Sequence, residues 1–482
     1  MIQEFHRTKI ICTLGPATDK PGVLEQMAAA GMNVARLNFS HGSQEEHRRR
    51  IQMVREVEKK TGMPIGILMD TRGPEIRITL LKDGVAQLEE GQMFTLYAED
   101  REGDANGAAI TYPYLSKEVK PGTTILLDDG KISLTVDHID GEDVVCRVEN
   151  SGELKNRKSL NIPGCHLELP YISEADRKDI LFGCDEDLDF VAASFVRSAD
   201  DIRELKQLLG EAGALGRVQI IAKLENQEGC MNLDSILEEV DGIMVARGDM
   251  GVEIEFDRLP ILQKSLIKHA VAKGRIVITA TQMLDSMTTS PRPTRAEVSD
   301  VANAVFDGTT AVMLSGETSV GEYPVETVDA MRSIVSNAEA AVHYTLRRQT
   351  REEFRKMDTG NDSISSEIAL AAVTAAERLN AAVIGAVTMS GRTVRAVSCL
   401  HPQIRIVGLS PSKKTRRQMT LQFGVLPMGF PDMAAGERQV HKVMQIVCEE
   451  GLAKKGELLV YTAGLPAGEA PSTNTLGIRT VE

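Results

Sequence analysis

Six short stretches of the sequence finish in charged or hydroxyl residues of the kinds that hold oxyanions and metal ions. In Ala222-Lys223-Leu224-Glu225-Asn226 the Lys223 ammonium and the Glu225 carboxylate stand two residues apart. An extended chain therefore presents both on one side and Leu224 on the other. Arg36, Asn38 and Ser40 alternate in the same way, and Asp70-Thr71-Arg72-Gly73-Pro74-Glu75-Ile76-Arg77 gathers charges after another apolar run. Arg247-Gly248-Asp249-Met250-Gly251 joins a carboxylate to glycines that allow close backbone approach, with N–H groups that could hold an anion. Thr279-Ala280-Thr281-Gln282 offers alternating hydroxyls, and Ser315-Gly316-Glu317-Thr318 mixes a hydroxyl with a carboxylate.

The residue types suggest one ligand. Glu225 and Asp249 supply hard oxygens, of which Mg²⁺ takes one or two while leaving room for substrate oxygens. Arg36 and Lys223 are cations suited to phosphoryl oxygens, the N–H groups of Gly248 and Asp249 suit a carboxylate, and Thr281 adds a hydroxyl donor. The set describes a small phosphorylated carboxylic acid chelated to Mg²⁺, in a reaction where positioning and electrostatics do nearly all the work. Alone, a Lys–Glu pair is an ordinary ion pair and Arg-Gly-Asp an ordinary turn. Unpaired charges inside a fold are costly, so it is the convergence of six such ends that carries the reading.

The elements that must position these residues are legible as eight short, nearly all-apolar, β-rich runs: 9–14, 33–38, 65–70, 189–194, 218–225, 242–247, 275–281 and 311–315. Such runs suit parallel strands buried on both faces. Most gaps between them have room for a helix and two loops. Pro21 is expected to open one helix and Gly31 to close it. Ser43 with Glu46 forms a capping box before a charged helix ending near Gly62. Ser198 precedes the periodic Ile202, Leu205, Leu208 and Leu209. Eight strand–helix units predict an α/β fold, a closed (β/α)8 TIM barrel, with an open doubly wound sheet as the alternative; in a barrel the site lies at the C-terminal rim.

The gap after the third run is far longer than the others. Apart from a helix near 173–182 it alternates in period two, with turns at Lys120-Pro121-Gly122 and Asp128-Asp129-Gly130, and reads as an inserted antiparallel β domain. At a barrel's catalytic end such an insertion is placed to act as a lid. Charge rises through 347–356, a polar link covers 358–363, and helices and strands then alternate to the end: helix 365–380, strand 381–388, helix 393–400, strand 405–410, strands near 424–429 and 457–462. The expected limits are 1–71 and 170–344 for the barrel, 72–169 for the lid, and 345–482 for a C-terminal α/β regulatory domain.

Composition narrows the setting. The 482 residues are 42% hydrophobic and 26% charged, as in ordinary globular proteins, and the net charge of −14 argues against a nucleic-acid partner. No run approaches the length of a membrane span, and the N-terminus lacks the order of a secretion signal, so neither a membrane nor export is expected. Seven cysteines form no CxxC pair, which favours a reducing cytoplasm.

Ala35-Arg36-Leu37-Asn38-Phe39-Ser40-His41-Gly42, Asp70-Thr71-Arg72-Gly73-Pro74-Glu75-Ile76-Arg77, Ile221-Ala222-Lys223-Leu224-Glu225-Asn226, Met244-Val245-Ala246-Arg247-Gly248-Asp249, Ala280-Thr281-Gln282-Met283-Leu284 and Met313-Leu314-Ser315-Gly316-Glu317-Thr318 resemble the pyruvate kinase family. The resemblance runs from about Arg7 to the end. It implies the conversion of phosphoenolpyruvate and ADP to pyruvate and ATP, the closing step of glycolysis, with Mg²⁺ (or Mn²⁺) and K⁺ as cofactors. By motif match, Glu225 and Asp249 would hold the divalent ion and Arg36 the transferring phosphoryl group. Lys223 would neutralise that group and the developing enolate. Gly248, Asp249 and Thr281 would hold the substrate carboxylate, while Thr281, Ser315 and Glu317 would belong to a relay that protonates the enolate. Asn38, Ser40, Asp70 and Thr71 match the K⁺ ligands. Asn38, His41 and Arg77 lie where the nucleotide binds, and Lys158 would reach it from the lid.

Small departures accompany the match. Ser159 stands where the family usually has Gly, which weakens the Lys158 assignment, and Arg72 replaces a frequent Lys. Family members with Glu at the position of Glu75 tend to require K⁺. With Ile478-Arg479-Thr480-Val481-Glu482 at its end, the sequence is expected to represent a member without the phosphotransfer-like module that some bacterial members carry. The loop holding Thr388, Ser390, Gly391, Arg392 and Thr393 combines hydroxyls, N–H groups and a cation at a helix start; in the family it takes a phosphorylated metabolite effector. A homotetramer is implied as well. A barrel lyase forming an Mg²⁺ enolate would need no lid lysine or K⁺ ligands, and a catalytically dead sensor would be expected to lack Lys223 or Thr281.

Overall fold

The structure, a computed structural model, describes residues 5–341, 363–430, 437–464 and 473–482. Eight parallel strands close a barrel: Lys9–Thr13, Val34–Asn38, Gly66–Asp70, Phe190–Ala193, Gln219–Leu224, Gly242–Ala246, Ile276–Ala280 and Ala311–Leu314. Each pairs with its successor, and the eighth returns to the first through Lys9 opposite Ala311, so the sheet is closed rather than open. The strands are largely apolar because both faces are covered, with most of their polar and charged residues at or near the strand ends. Ile11, Val34, Leu68, Ile221, Met244 and Ile278 fill the barrel interior. Alternate residues such as Cys12, Ala35, Ile67, Ala222 and Val277 pack outward under the helices.

The helix signals hold with one correction. Ser43 and Glu46 cap Gln44–Thr61 reciprocally, and Gly62 ends that helix in the left-handed region. Ser198 caps Ala199–Glu211, with Asp201 closing a second capping box. The helix after the first strand, however, begins at Val23: Gly22 is its cap at φ 78°, so Pro21 lies outside the first turn it was expected to open. Gly31 closes that helix as expected.

Between the third and fourth barrel strands the chain builds a seven-stranded sheet and a two-stranded ribbon. Its core, centred on Phe94, Ile125, Leu134, Cys146 and Leu160, is separate from that of the barrel. Burial alternates along Ile132–Asp140, as the period-two pattern predicts. Asp128, Asp129 and Gly130 all adopt positive φ, which makes the tight turn between its strands. One pair departs from the antiparallel expectation. Gly107–Ala109 runs parallel to Met93–Tyr97, because residues 98–106 recross the sheet edge instead of turning back as a hairpin.

The C-terminal unit has four parallel strands, Val383–Val387, Arg405–Ser410, Val425–Gly429 and Leu458–Ala463, with Thr475–Thr480 added antiparallel at one edge. That edge strand and the helices Lys413–Met419 and Glu437–Glu449 were not anticipated, the first helix being too short and too charged to show a periodic apolar face. The charged stretch 347–356, most of the link 358–363 and the expected boundary at 344/345 lie outside the described residues.

This unit grips the barrel at the N-terminal ends of its strands. The Asp189 carboxylate, fully buried ahead of the fourth strand, takes hydrogen bonds from Arg417 Nε (3.0 Å), Arg55 Nη2 (3.1 Å) and the Ile67 N–H (3.0 Å). Lys9 Nζ donates to the Val425 carbonyl at 2.7 Å, and Arg395 pairs with Asp241 at 2.8 Å. Removing one member of a buried ion pair costs about 3–5 kcal/mol because the others are left uncompensated. Asp189→Ala should therefore lower the calorimetric midpoint by several degrees; an unchanged midpoint would contradict this role for the cluster.

Candidate active site

At the C-terminal rim, four charged side chains from three strands meet. Lys223 ends the fifth strand, and its Nζ lies 2.8 Å from Glu225 Oε1, 3.0 Å from Asp70 Oδ1 and 2.8 Å from Ser194 Oγ. Asp70, at the end of the third strand, also receives Arg36 Nε at 2.6 Å. Arg36 Nη1 donates to Thr13 Oγ1 (2.9 Å), whose hydroxyl donates to the Leu314 carbonyl (2.8 Å). All four charged residues are buried. Burial alone pushes the Asp70 carboxyl up, but Arg36 and Lys223 overcome it and hold the group below the usual carboxylate range. Burial disfavours the Lys223 ammonium, yet Asp70 and Glu225 keep it protonated more firmly than usual. Glu225 is pushed up, first by burial and further by Asp249, and only partly relieved by Lys223.

A cavity of about 240 Å³ opens above this cluster. It gathers Arg36, Asn38, Ser40 and His41 from the second strand and its loop, Lys223, Glu225 and Asp249 from the fifth and sixth, and Arg77 and Lys158 from the lid. The lid side is ordered by its own pairs: Lys158 Nζ lies 2.7 Å from Asp128, and Arg77 grips Glu75 through Nε (3.0 Å) and Nη2 (2.8 Å). Burial raises the Glu75 carboxyl, with Arg77 opposing.

Other expected residues are placed differently. Asp70 and Thr71 lie buried beneath the cavity. Both Asp70 oxygens are taken by the cations, and Thr71 Oγ1 donates to the Ala192 carbonyl at 3.3 Å. Gly248 does not present a vacant N–H: it donates to Thr281 Oγ1 at 2.7 Å, while the Thr281 hydroxyl donates to Ala280 O at 2.6 Å. Thr281 and Gln282 are left-handed, at φ 70° and 52°, a conformation costing roughly 1–2 kcal/mol per residue. Arg247 holds that turn, donating to the Thr281 carbonyl at 2.6 Å. Thr281, Ser315 and Glu317 are not in the cavity lining. Glu317 is buried and accepts the N–H groups of Leu284 (3.1 Å) and Ser315 (2.6 Å), so it ties two rim loops together.

The C-terminal loop does bring its expected residues together. Thr388 Oγ1 accepts the Gly391 N–H at 2.9 Å, Arg392 Nε donates to Ser390 Oγ at 3.4 Å, and Thr393 shares a 2.6 Å hydroxyl contact with Thr473.

Ser194, Phe195, Thr13 and Asp128 also belong to the site, although residue type and spacing do not mark them as functional. Ser194 does have a positional signal: it closes the fourth apolar run with a hydroxyl, as polar groups close six of the others. Phe195 donates its N–H to Glu225 Oε2 at 2.7 Å from a left-handed backbone, which no residue-type rule anticipates for phenylalanine.

Among the described residues no group of three or more His, Cys, Asp or Glu side chains forms a closed metal cage. What the rim offers is two carboxylates on one cavity, Glu225 desolvated and Asp249 beside it. That donor set fits a hard divalent ion that draws its remaining ligands from water and substrate.

Fold and rim together define a barrel protein whose strand ends gather cations and carboxylates around an oxyanion-sized cavity. Models of the pyruvate kinase barrel domain and of the pyruvate kinase alpha/beta domain match residues 5–328 and 366–479. A pyruvate kinase from Geobacillus stearothermophilus is 46% identical over 98% of this chain and 80% of its own length. One from Staphylococcus aureus (strain MRSA252) is 45% identical over 99% and 81%. The crystal structure of a pyruvate kinase from Cryptosporidium parvum superposes with a TM-score of 0.93 at 36% identity, covering 99% of this chain and 96% of that one. The chain belongs to the pyruvate kinase family.

Glu225→Gln keeps the shape of the rim but removes the charge of one of the two carboxylates on the cavity. Titration calorimetry with Mn²⁺ should show binding weakened tenfold or more, on the order seen when a metal site loses a supporting group. Affinity unchanged by the substitution would exclude Glu225 as a ligand.

Proposed function

We propose that this chain moves the phosphoryl group of phosphoenolpyruvate to ADP at the barrel rim, giving pyruvate and ATP as the last step of glycolysis. Family membership supports the reaction. The observation that carries its location is the buried Lys223–Asp70–Arg36–Glu225 cluster under a cavity lined from both barrel and lid. Glu225 and Asp249 would hold a divalent ion (Mg²⁺ or Mn²⁺), which when bound would supply positive charge to the phosphoryl and enolate oxygens. Arg36 binds the transferring group. Lys223 faces the charge that passes from the bridging oxygen to the enolate, where preorganised electrostatics is most effective. Asp249 and Gly248 N–H groups with Thr281 hold the substrate carboxylate, which requires the Gly248–Thr281 bond to be exchanged for bonds to the substrate. Thr281, Ser315 and Glu317 serve the final protonation at carbon. Asn38, His41, Arg77 and Lys158 take the nucleotide, and closure of the lid excludes water from the transfer.

The wider assignments form part of the same reading. The limits 1–71, 72–169, 170–344 and 345–482 divide barrel, lid and C-terminal domain. A phosphorylated metabolite acts as effector at Thr388, Ser390, Gly391, Arg392 and Thr393. A homotetramer is supported by the strongly exposed Phe256 and Ile261 and the partly exposed Phe306, apolar groups that a partner surface would cover. A cytoplasmic setting accompanies these; among the described residues no helix is long and apolar enough to cross a membrane.

Lys223→Met removes the ammonium charge from the rim, so ATP formation should fall by at least ~100-fold in a folded protein, the scale of losing one transition-state donor. Near-normal turnover would refute the assignment.

K⁺ at Asn38, Ser40, Asp70 and Thr71 is the second requirement. Glu75 adds negative potential near this set, although its bidentate pairing with Arg77 spends part of that charge. With saturating Mg²⁺, activity in K⁺ should far exceed activity in tetramethylammonium at the same ionic strength, and Glu75→Lys should reduce the difference. Equal rates in both salts would remove K⁺ from the mechanism.

A further inference from the structure

Lys223 Nζ hydrogen-bonds Ser194 Oγ at 2.8 Å and stands in ion-pair contact with Asp70 Oδ1 at 3.0 Å and Glu225 Oε1 at 2.8 Å, three contacts in all. Two of these are carboxylates that pull the cation toward the barrel axis and the third strand. The one neutral partner, Ser194, lies just past the end of the fourth strand.

The direction of the Ser194 hydroxyl is fixed by what surrounds it. An ammonium only donates, so Ser194 Oγ must accept from Lys223 at 2.8 Å. Its single proton then goes to the Thr71 carbonyl at 2.7 Å, with Asp70 Oδ1 farther away at 3.2 Å. The Ser194 backbone is held just as firmly: its N–H donates to Thr71 Oγ1 (3.1 Å), and its carbonyl accepts the Tyr171 hydroxyl (3.2 Å). Gly73 backs onto it so closely that a Cβ there would stand 2.8 Å from Ser194 O and 2.9 Å from Ser194 Cβ. Next in the chain, Phe195 takes φ 52° and so turns its N–H onto Glu225 Oε2. A bulky residue held in that region marks a backbone constrained by its surroundings. Two consecutive residues thus grip the two members of the Lys223–Glu225 pair separately, one by a hydroxyl and one by an N–H.

We propose that Ser194 is a positioning residue for phosphoryl transfer: its hydroxyl is the third contact that fixes where the Lys223 ammonium stands between Asp70 and Glu225. The inference rests on the reading of Lys223 given above. Without the hydroxyl, Lys223 keeps its charge and both carboxylates but loses the hydrogen bond that fixes its position from the side of the fourth strand. Glu225 keeps the Phe195 N–H, so the metal carboxylates are undisturbed.

The test compares Ser194→Ala and Ser194→Thr with the parent chain and with Lys223→Met. Ser194→Ala should lower kcat by ~10- to 100-fold, the value of a hydrogen bond to a charged group, while KM for phosphoenolpyruvate changes by less than about threefold. Mn²⁺ affinity, measured by calorimetry without substrate, should stay within about twofold. Ser194→Thr, which restores a hydroxyl, should recover most of the lost kcat. The inference is overturned if Ser194→Ala turns over at the parent rate while Lys223→Met is inactive, or if kcat and Mn²⁺ affinity fall together, the mark of a general loss of structure. If Ser194→Thr binds Mn²⁺ normally but regains no activity over Ser194→Ala, the hydroxyl is not the operative group and the inference also fails. Parent-like rates in both Ser194→Ala and Lys223→Met would instead overturn the reading of Lys223.

Discussion

An ammonium and a guanidinium buried at the mouth of an otherwise apolar barrel can persist only if carboxylates are brought to them, and the rest of this architecture follows from that need. Each charge taken out of water carries a desolvation penalty of several kcal/mol, repaid only when partners stand in good geometry with their remaining lone pairs satisfied. Here the second strand contributes Arg36, the third Asp70 and the fifth Lys223, with Glu225 just beyond its end, while the chain after the fourth contributes a hydroxyl and an N–H. A slip of one residue in any of these strands would turn its charge outward under the helices. The register of the barrel and the composition of the site are therefore one constraint: Asn38 opposite Asp70 and Arg36 opposite Leu68 set the strands so that the guanidinium reaches the carboxylate.

The opposite ends of the same strands meet the C-terminal domain. The fourth strand is flanked by Asp189, held by Arg417 and Arg55, and by Ser194, held against Thr71 and Lys223. Asp241, just before the sixth strand, binds Arg395 from the helix that starts at the C-terminal loop. On that loop Met389 accepts a hydrogen bond from Thr415, whose helix also carries Arg417. Short, fully buried strands join the two ends, so the loop residues and the rim residues belong to one continuously packed body.

How much of this the sequence discloses depends on the range of the cause. The barrel strands were legible because both faces are buried and the apolar runs are continuous; the capped helices, because Ser43 with Glu46 and Ser198 act within one turn. The rim charges were legible because Lys223 and Glu225 share a face at a spacing of two. The Pro21 expectation failed on a neighbouring glycine that starts the helix two residues later. Thr281 and Phe195 in left-handed backbone, Arg247 clasping the Thr281 carbonyl, and the Asp189–Arg417 pair are all set by contacts distant in sequence. Neither residue type nor spacing encodes such contacts, and the short charged helix Lys413–Met419 carries too little periodicity to announce itself.

The Lys223 ammonium and the Asp70 carboxylate stabilise one another in the buried rim. A double-mutant cycle on unfolding, using Asp70→Asn, Lys223→Met and the combination, measures this directly. The double variant should be less destabilised than the sum of the singles, by a coupling of about 1–3 kcal/mol, because each single leaves a buried charge that the other removal eliminates. Additivity within about 0.5 kcal/mol, the behaviour of independent sites, would contradict it.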